Sequence, residues 1–295
     1  MHPIITTVFG QPIYSYGAAL GIAFITGWTL ATRFTNREGI PYKFATTAYT
    51  LAIIFALIGA RVFELLANPE MWRFKGFLVA LFASKCEGLV AYGGYIGACL
   101  ACFIYAYMKR QDFWSLADCT TPSMVLGLGI TRIGCFFAGC CHGQPTDLPW
   151  GIVFPPGSPA SRAFPDLAHR VGETVSSLPV HPTQIYESLL GFALFPIAYL
   201  AYKKRRFTGQ AFLIIIPLYA VGRFLLEIIR GDTDRGEVAR LSTSQFIGIV
   251  LVVFAVGAYL YRRKKAPAPP APLSDEEIER RLAEAGVKKS KKKGR

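Results

Sequence analysis

The sequence is poor in charge and poor in histidine: of its 295 residues only 17% are Asp, Glu, Lys or Arg, and four are His. Set beside 52% hydrophobic residues and a mean hydropathy of +0.35, that scarcity excludes an ordinary water-soluble enzyme. No internal repeat is visible, which argues against a transporter built from two related halves. The opening MHPIITTVFG has neither the basic stretch nor the apolar core and small-residue cleavage site of a secretory leader, so no cleaved signal peptide is expected. Acidic residues are in deficit as well, 19 against 32 Lys and Arg, yet this is no nucleic-acid signature. Of the net charge of +13, residues 262–295 supply +7, and the rest is short basic punctuation between long apolar runs. Seven cysteines do not make a disulfide framework here, because Cys86, Cys99, Cys102 and Cys119 lie in or beside those runs.

What is present is a series of apolar stretches of spanning length, over residues 14–32, 45–66, 88–108, 115–131, 185–202, 211–229 and 244–261. The expected fold is therefore an all-α polytopic membrane protein with seven transmembrane helices. The fourth span is the weakest, diluted by Asp118, Pro122 and several glycines. The connections at 33–44, 109–112, 203–208 and 262–265 hold 13 Lys and Arg in 26 residues, and seven spans put all four on one side. The positive-inside rule makes that side cytoplasmic and leaves the N-terminus outside. Residues 132–184, rich in Gly and Pro, are expected to form a small irregular periplasmic head. The membrane domain is read as 1–261, and 262–295 as a Pro-rich basic cytoplasmic tail beside the anionic leaflet.

Ionisable groups inside apolar runs cost several kcal/mol unless they pair or face a polar cavity. Arg61 and Glu64 stand three apart in the second span, while Arg223, Glu227 and Arg230 form one stripe in the sixth. Arg132 ends the fourth span and Glu187 begins the fifth. Each alone could be a structural ion pair or snorkel to an interface, as Arg230 could. Together they exceed what helix pairing requires, and guanidinium forks suit a phosphate head group. The runs GLVAYGGYIG (88–97) and GLGITRIG (127–134) place small residues where helices approach closely or leave room for a ligand. In CFFAGCCHG (135–143), Cys135, Cys140, Cys141 and His142 are zinc-binding types, but structural zinc sites pair two knuckles and this is one cluster. Vicinal Cys140 and Cys141 could also support thiol redox chemistry, or simply fill a tight turn.

These residues resemble the prolipoprotein diacylglyceryl transferases of bacterial inner membranes. The likeness runs in order through His2-Pro3, Tyr16-Gly17, GARV with Arg61, Gly93-Gly94, GLGITRIG with Arg132, HPTQIYE at 181–187, and GRFLLEIIR with Arg223, Glu227 and Arg230. It implies transfer of the diacylglyceryl group of phosphatidylglycerol to the lipobox cysteine thiol of a prolipoprotein signal peptide, within the inner membrane, with no metal or organic cofactor and no nucleic acid. By the same resemblance Arg132 and Arg223 hold the phosphate and Glu227 positions Arg223. Tyr16, Arg61, Gly93, Gly94, Cys135, His181, Gln184, Tyr186, Glu187 and Arg230 brace or line the cavity.

The chain departs from the family pattern where protons are handled. Tyr92 stands where the family has His, and Cys135, Ala138 and Cys140 stand where its signature has Asn, Asn and Glu. A tyrosine with an ordinary pKa of about 10 is a poor base unless nearby arginines lower it. Either Tyr92 or a thiolate at Cys140 replaces the missing base, or the anionic-lipid pocket serves another acceptor. A membrane thiol oxidoreductase using Cys135, Cys140 or Cys141 is the reading from a different class.

Overall fold

The structure, a computed structural model, describes residues 4–8, 11–67, 76, 81, 91–163, 176–231, 237–238 and 241–287. His2, Pro3 and Cys86 lie outside the described residues, and so does the side chain of Tyr92. The chain divides into two compact units. One is Met1–Ala31 with Asp118–Ala268, and the other is Thr32–Ala117 with Pro269–Arg295.

A hairpin of β1 (Ile4–Val8) and β2 (Gln11–Tyr14) leads into α1 (Ser15–Arg37). Further helices follow as α2 (Tyr42–Ala67), α3 (Ala91–Met108), α4 (Phe113–Ala138), the single turn α5 (Pro159–Arg162), α6 (Thr183–Lys204) and α7 (Gln210–Ile228). The strand pair β3 (Glu237–Val238) and β4 (Leu241–Ser242) precedes α8 (Thr243–Lys265), and α9 (Asp275–Glu284) lies in the tail. Among the described residues five helices are long and apolar enough to cross a membrane: α2 over Tyr42–Leu66, α4, α6, α7 and α8. The architecture is that of an all-helical polytopic membrane protein, as expected.

In the second unit α2 and α3 meet backbone to backbone. A Cβ on Gly93 would strike the Gly59 carbonyl, and one on Gly97 the carbonyl of Phe55. One on Gly94 would lie 3.2 Å from the Ala56 carbonyl. The paired glycines thus serve as a small-residue seam between helices. Asp112 caps α4 in the same unit, accepting the backbone N–H of Trp114 at 3.1 Å and of Ser115 at 3.2 Å. Arg61 and Glu64 pair at 2.6 Å, both buried, as their spacing requires.

In the first unit α4 crosses α6 where Gly129 meets Gly191, whose Cβ would lie 2.8 Å from the Gly129 nitrogen. Ser188 donates its hydroxyl to the Gly129 carbonyl at 2.8 Å across the same crossing. Val125, Leu194, Ala198 and Ile215 form the apolar core below it, with Leu190, Phe195 and Tyr219 against them. The buried carboxylate of Asp118, which dilutes the fourth apolar run, caps α7: it accepts the N–H of Gly209 at 2.8 Å and of Phe212 at 3.1 Å. Arg205 stands 3.3 Å from the same carboxylate.

The sequence-based boundaries shift in three places. The fourth helix runs on to Ala138, so Arg132 and Cys135 lie inside it and the irregular segment begins at Gly139, not at 132. Thr131, Ile133, Phe136 and Phe137 have only modest helix propensity, so packing, such as Gly134 on Tyr16 and Ala19, carries the helix over that last stretch. The two short hairpins were not expected. β1 is nonetheless rich in β-branched residues. The tail segment after Ser274, charged and of weak helical potential by sequence, forms α9, because Ser274 accepts the N–H of Glu277 and Asp275, Glu276 and Glu277 face the positive end of the helix dipole.

Candidate active site

The crossing of α4 on α6 brings Arg132 beside Glu187, with Arg132 Nη2 2.9 Å from Glu187 Oε1. Helix α7 supplies the rest. Arg223 Nη2 lies 2.6 Å from Glu227 Oε2, one turn on, and Arg223 Nε lies 3.8 Å from Glu187 Oε1. Arg230, just past the end of α7, reaches to 4.0 Å from Glu187 Oε2. The Tyr219 hydroxyl donates to Glu187 Oε1 at 3.1 Å. Three guanidiniums from two chain segments thus converge on Glu187, which is 3% exposed, and among the described residues only Glu227 adds a second carboxylate to the group.

That balance matters because buried ions are tolerated only when paired and hydrogen-bonded. Arg223 is buried, and among the described residues its Nη1 has no hydrogen-bond partner. A buried guanidinium N–H edge of this kind suits a phosphate oxygen, which would satisfy it.

The segment after α4 closes over this group. Gly143 pairs with Arg230 in an antiparallel bridge, and the Gln144 N–H donates to the Ile229 carbonyl at 2.9 Å. A Cβ on Gly143 would collide with His181, and one on Gly231 with the Gly143 carbonyl, so only glycine permits this approach. His181 donates its backbone N–H to Gln144, and its Nδ1 lies 3.4 Å from the Tyr186 hydroxyl, which also accepts Trp150 Nε1 at 2.8 Å. Beyond it, Phe154, Ala160 and Val180 form the small core of the irregular head.

The cysteines form a second feature of the same unit. Cys135, Cys140 and Cys141 bring their sulfurs within 4.8 Å of one another. Gly139 (φ +74°) and Cys141 (φ +60°) both adopt the left-handed conformation, which folds the chain back over the end of α4. Two residues of α6 hold the turn: Thr183 Oγ1 donates to the Cys141 carbonyl and Gln184 Nε2 to the Cys140 carbonyl, each at 2.7 Å. Hydrogen bonds from Cys135 and Cys140 push the Cys141 thiol well below its ordinary pKa, helped by Arg230 and Arg132 against the opposing effect of burial. Hydrogen bonding to Cys135 and Cys141, with burial, pushes Cys140 up. The hydrogen bonds among the three thiols thus favour ionisation at Cys141 over Cys140.

Arg132, Glu187, Arg223, Glu227 and Arg230 are brought together, with Cys135, Cys140, His181 and Gln184 on the elements around them. Tyr16 opens α1, where Gly134 packs on Tyr16 and Ala19. Arg61, Gly93 and Gly94 belong to the other unit, where the first pairs with Glu64 and the glycines line the α2–α3 seam. Tyr219 and Thr183 were not singled out from sequence. Tyr219 precedes Arg223 by four residues, so its place on the polar stripe was there to be read.

Comparison with known proteins identifies a family. A family model described as prolipoprotein diacylglyceryl transferase matches residues 3–261. The chain is 31% identical over 263 residues to the phosphatidylglycerol–prolipoprotein diacylglyceryl transferase of Clostridium tetani, covering 87% of this chain and 96% of that protein. It is 31% identical over 266 residues to the protein of that name in Clostridioides difficile, covering 90% and 97%. It is also 29% identical over 265 residues to the second such transferase of Clostridium perfringens, again covering 90% and 97%.

Proposed function

The chain belongs to the prolipoprotein diacylglyceryl transferase family, and from that premise we propose that it transfers the diacylglyceryl group of phosphatidylglycerol to the cysteine thiol of a prolipoprotein lipobox. In this reading seven helices span the bacterial inner membrane with the N-terminus outside, and residues 262–295 are a cytoplasmic tail.

The reaction displaces glycerol phosphate from an sp3 carbon by a thiolate. Charge accumulates on the phosphate oxygen as the carbon–oxygen bond breaks, so the site must hold positive charge in place before that happens. The observation that carries the reading is the convergence of Arg132, Arg223 and Arg230 on Glu187, with Arg223 Nη1 buried and unpartnered among the described residues. Arg132 and Arg223 bind and neutralise the leaving phosphate. Glu187 and Glu227 fix the guanidinium planes, as does Tyr219 through Glu187. His181, Gln184 and Tyr186 brace the segment that covers the group, and Tyr16 lines its entrance. The family likeness gives Tyr92 the position of the proton-exchanging His. The acyl chains stay in the bilayer.

The test uses the full chain in membranes with phosphatidylglycerol and a model lipobox peptide whose mass is followed. Arg132→Ala and Arg223→Ala should each lower transfer by about 100-fold or more while accumulation in the membrane is unchanged. Undiminished transfer in both variants would dismiss the site. Rescue of a strain depleted of its lipoprotein transferase would fix the acceptor as the lipobox thiol.

A further inference from the structure

We propose that Cys135, Cys140 and Cys141 form a three-thiolate zinc site whose fourth position receives the acceptor cysteine of the substrate. The role of the metal rests on the transferase reading above, whereas the site itself rests on geometry.

The three sulfurs already lie within 4.8 Å of one another. Zinc–sulfur bonds of about 2.3 Å in tetrahedral geometry put ligand sulfurs about 3.8 Å apart, so closure requires movement of an ångström or less. A disulfide needs about 2.05 Å between two sulfurs and leaves the third over. The turn is also fixed for the purpose. Cys135 projects from the last turns of α4, Gly139 reverses the chain, and Cys141 is held at a φ of +60° that non-glycine residues seldom adopt. Such a conformation persists only where the surroundings enforce it, and here Thr183 and Gln184 clamp the carbonyls of Cys141 and Cys140. Those clamps orient the ligands as outer-shell hydrogen bonds do in metal sites.

Charge favours the same conclusion. Three thiolates and one Zn²⁺ leave a net charge of about −1, and the guanidiniums of Arg132 and Arg230 lie close enough to act on these cysteines. Soft thiolate sets select zinc or Cu(I) over hard cations. Zinc with three protein ligands keeps a position open for substrate.

That open position meets the chemical need of the reaction. A thiol coordinated to zinc loses its proton, here to water at the outer face. The sulfur electron pair then forms a bond to the glycerol carbon bearing the phosphate. The carbon–oxygen bond breaks with its electron pair passing to the phosphate oxygen, and glycerol phosphate leaves as a dianion toward Arg132 and Arg223. The thioether formed is neutral and a weaker ligand, which frees the site for the next acceptor. No oxidant or reductant is consumed.

The experiment takes the purified full chain in detergent, strips it with a chelator and reloads it with Zn²⁺ or Co²⁺. About one metal ion per chain should be retained, and the Co²⁺ form should show thiolate-to-metal charge-transfer absorption that strengthens when a lipobox peptide is added. Cys135→Ser, Cys140→Ser and Cys141→Ser should each weaken retention by more than about tenfold, while Cys99→Ser and Cys102→Ser leave it unchanged. Because the wild-type measurement needs no substitution, poor folding of a variant does not remove the test. Absence of retained metal with three free thiols, a disulfide within the trio, or retention indifferent to the three serines would each overturn the site. Full transfer activity in the stripped protein would overturn the metal's role and leave the transferase reading intact. Metal bound as described without any lipidation of the peptide would uphold the site and overturn that reading instead.

Discussion

At the scale of single residues, the cost of a buried charge decides what could be read in advance. Arg132, Glu187, Arg223, Glu227 and Arg230 stand out because an unpaired ion at that depth is intolerable, and the structure places them together. The sharing of Glu187 among three guanidiniums was not legible, because a helical stripe gives the direction of a side chain but not which neighbouring helix it meets. Glu187→Ala should consequently cost about 3–5 kcal/mol by leaving guanidiniums buried against one another, read as a fall in melting temperature in detergent. Glu187→Gln should fall between that and wild type, since it keeps an acceptor for Tyr219 but no charge; equal melting temperatures for all three would refute the hub. The cysteines give a second prediction, for metal-stripped protein. Cys141 is held well below the ordinary thiol value in the folded state, so its ionisation stabilises the fold fully above the unfolded thiol pKa of about 8.5. That stabilisation is lost as pH falls through the depressed folded value. An exposed thiol slows about tenfold per unit as pH drops below about 8. Iodoacetamide should therefore keep modifying Cys141 at mildly acidic pH, and mapping the adduct by mass spectrometry checks it.

At the scale of elements, close approach explains both what was legible and what was not. The glycine runs were ambiguous between packing and ligand space, and the structure shows packing at both. Gly93 and Gly94 of α3 pack against α2, while Gly129 packs against Gly191 of α6. The partner glycine sits 62 residues away in the chain, so no local pattern identifies it. The crossing also carries function, since Ser188 fixes it immediately next to Glu187. Gly191→Val should destabilise the protein by at least about 1–3 kcal/mol and depress transfer, because its Cβ alone would lie 2.9 Å from the Val125 carbonyl. Gly17→Ala, where a Cβ meets nothing within 4 Å, is the matched control and should be silent. Thermal unfolding of both variants followed by size exclusion distinguishes the two; similar behaviour would remove the seam from the argument. Asp118 shows the same limit from the other side. It weakens the apolar signal of α4, yet it is there to cap α7, a helix that begins 92 residues later.

At the scale of the whole molecule, hydropathy located the helices well because bilayer thickness sets their length, whereas Gly139–Ala163 and Ser177–His181 could only be read as irregular. Their order comes from bridges between distant segments, Pro145 and Ile152 to Val180 and Gly143 to Arg230, which no periodicity announces. Orientation is a property of the whole chain, and charge predicts it: the positive-inside rule expects the basic clusters at 33–44, 109–112, 203–208 and 262–265 on the side of synthesis. In the transferase reading the cover of the arginine cluster belongs on the opposite side, because that reading presents the lipobox acceptor at the outer face. Both demands are met if Asp147, exposed in the head, is periplasmic and Lys204, exposed at the end of α6, is cytoplasmic. A membrane-impermeant maleimide applied to intact spheroplasts should therefore label Asp147→Cys above the background of the native cysteines. Lys204→Cys should gain label only after the membrane is opened. The reverse pattern would invert the protein and put the guanidinium cluster out of reach of its acceptor.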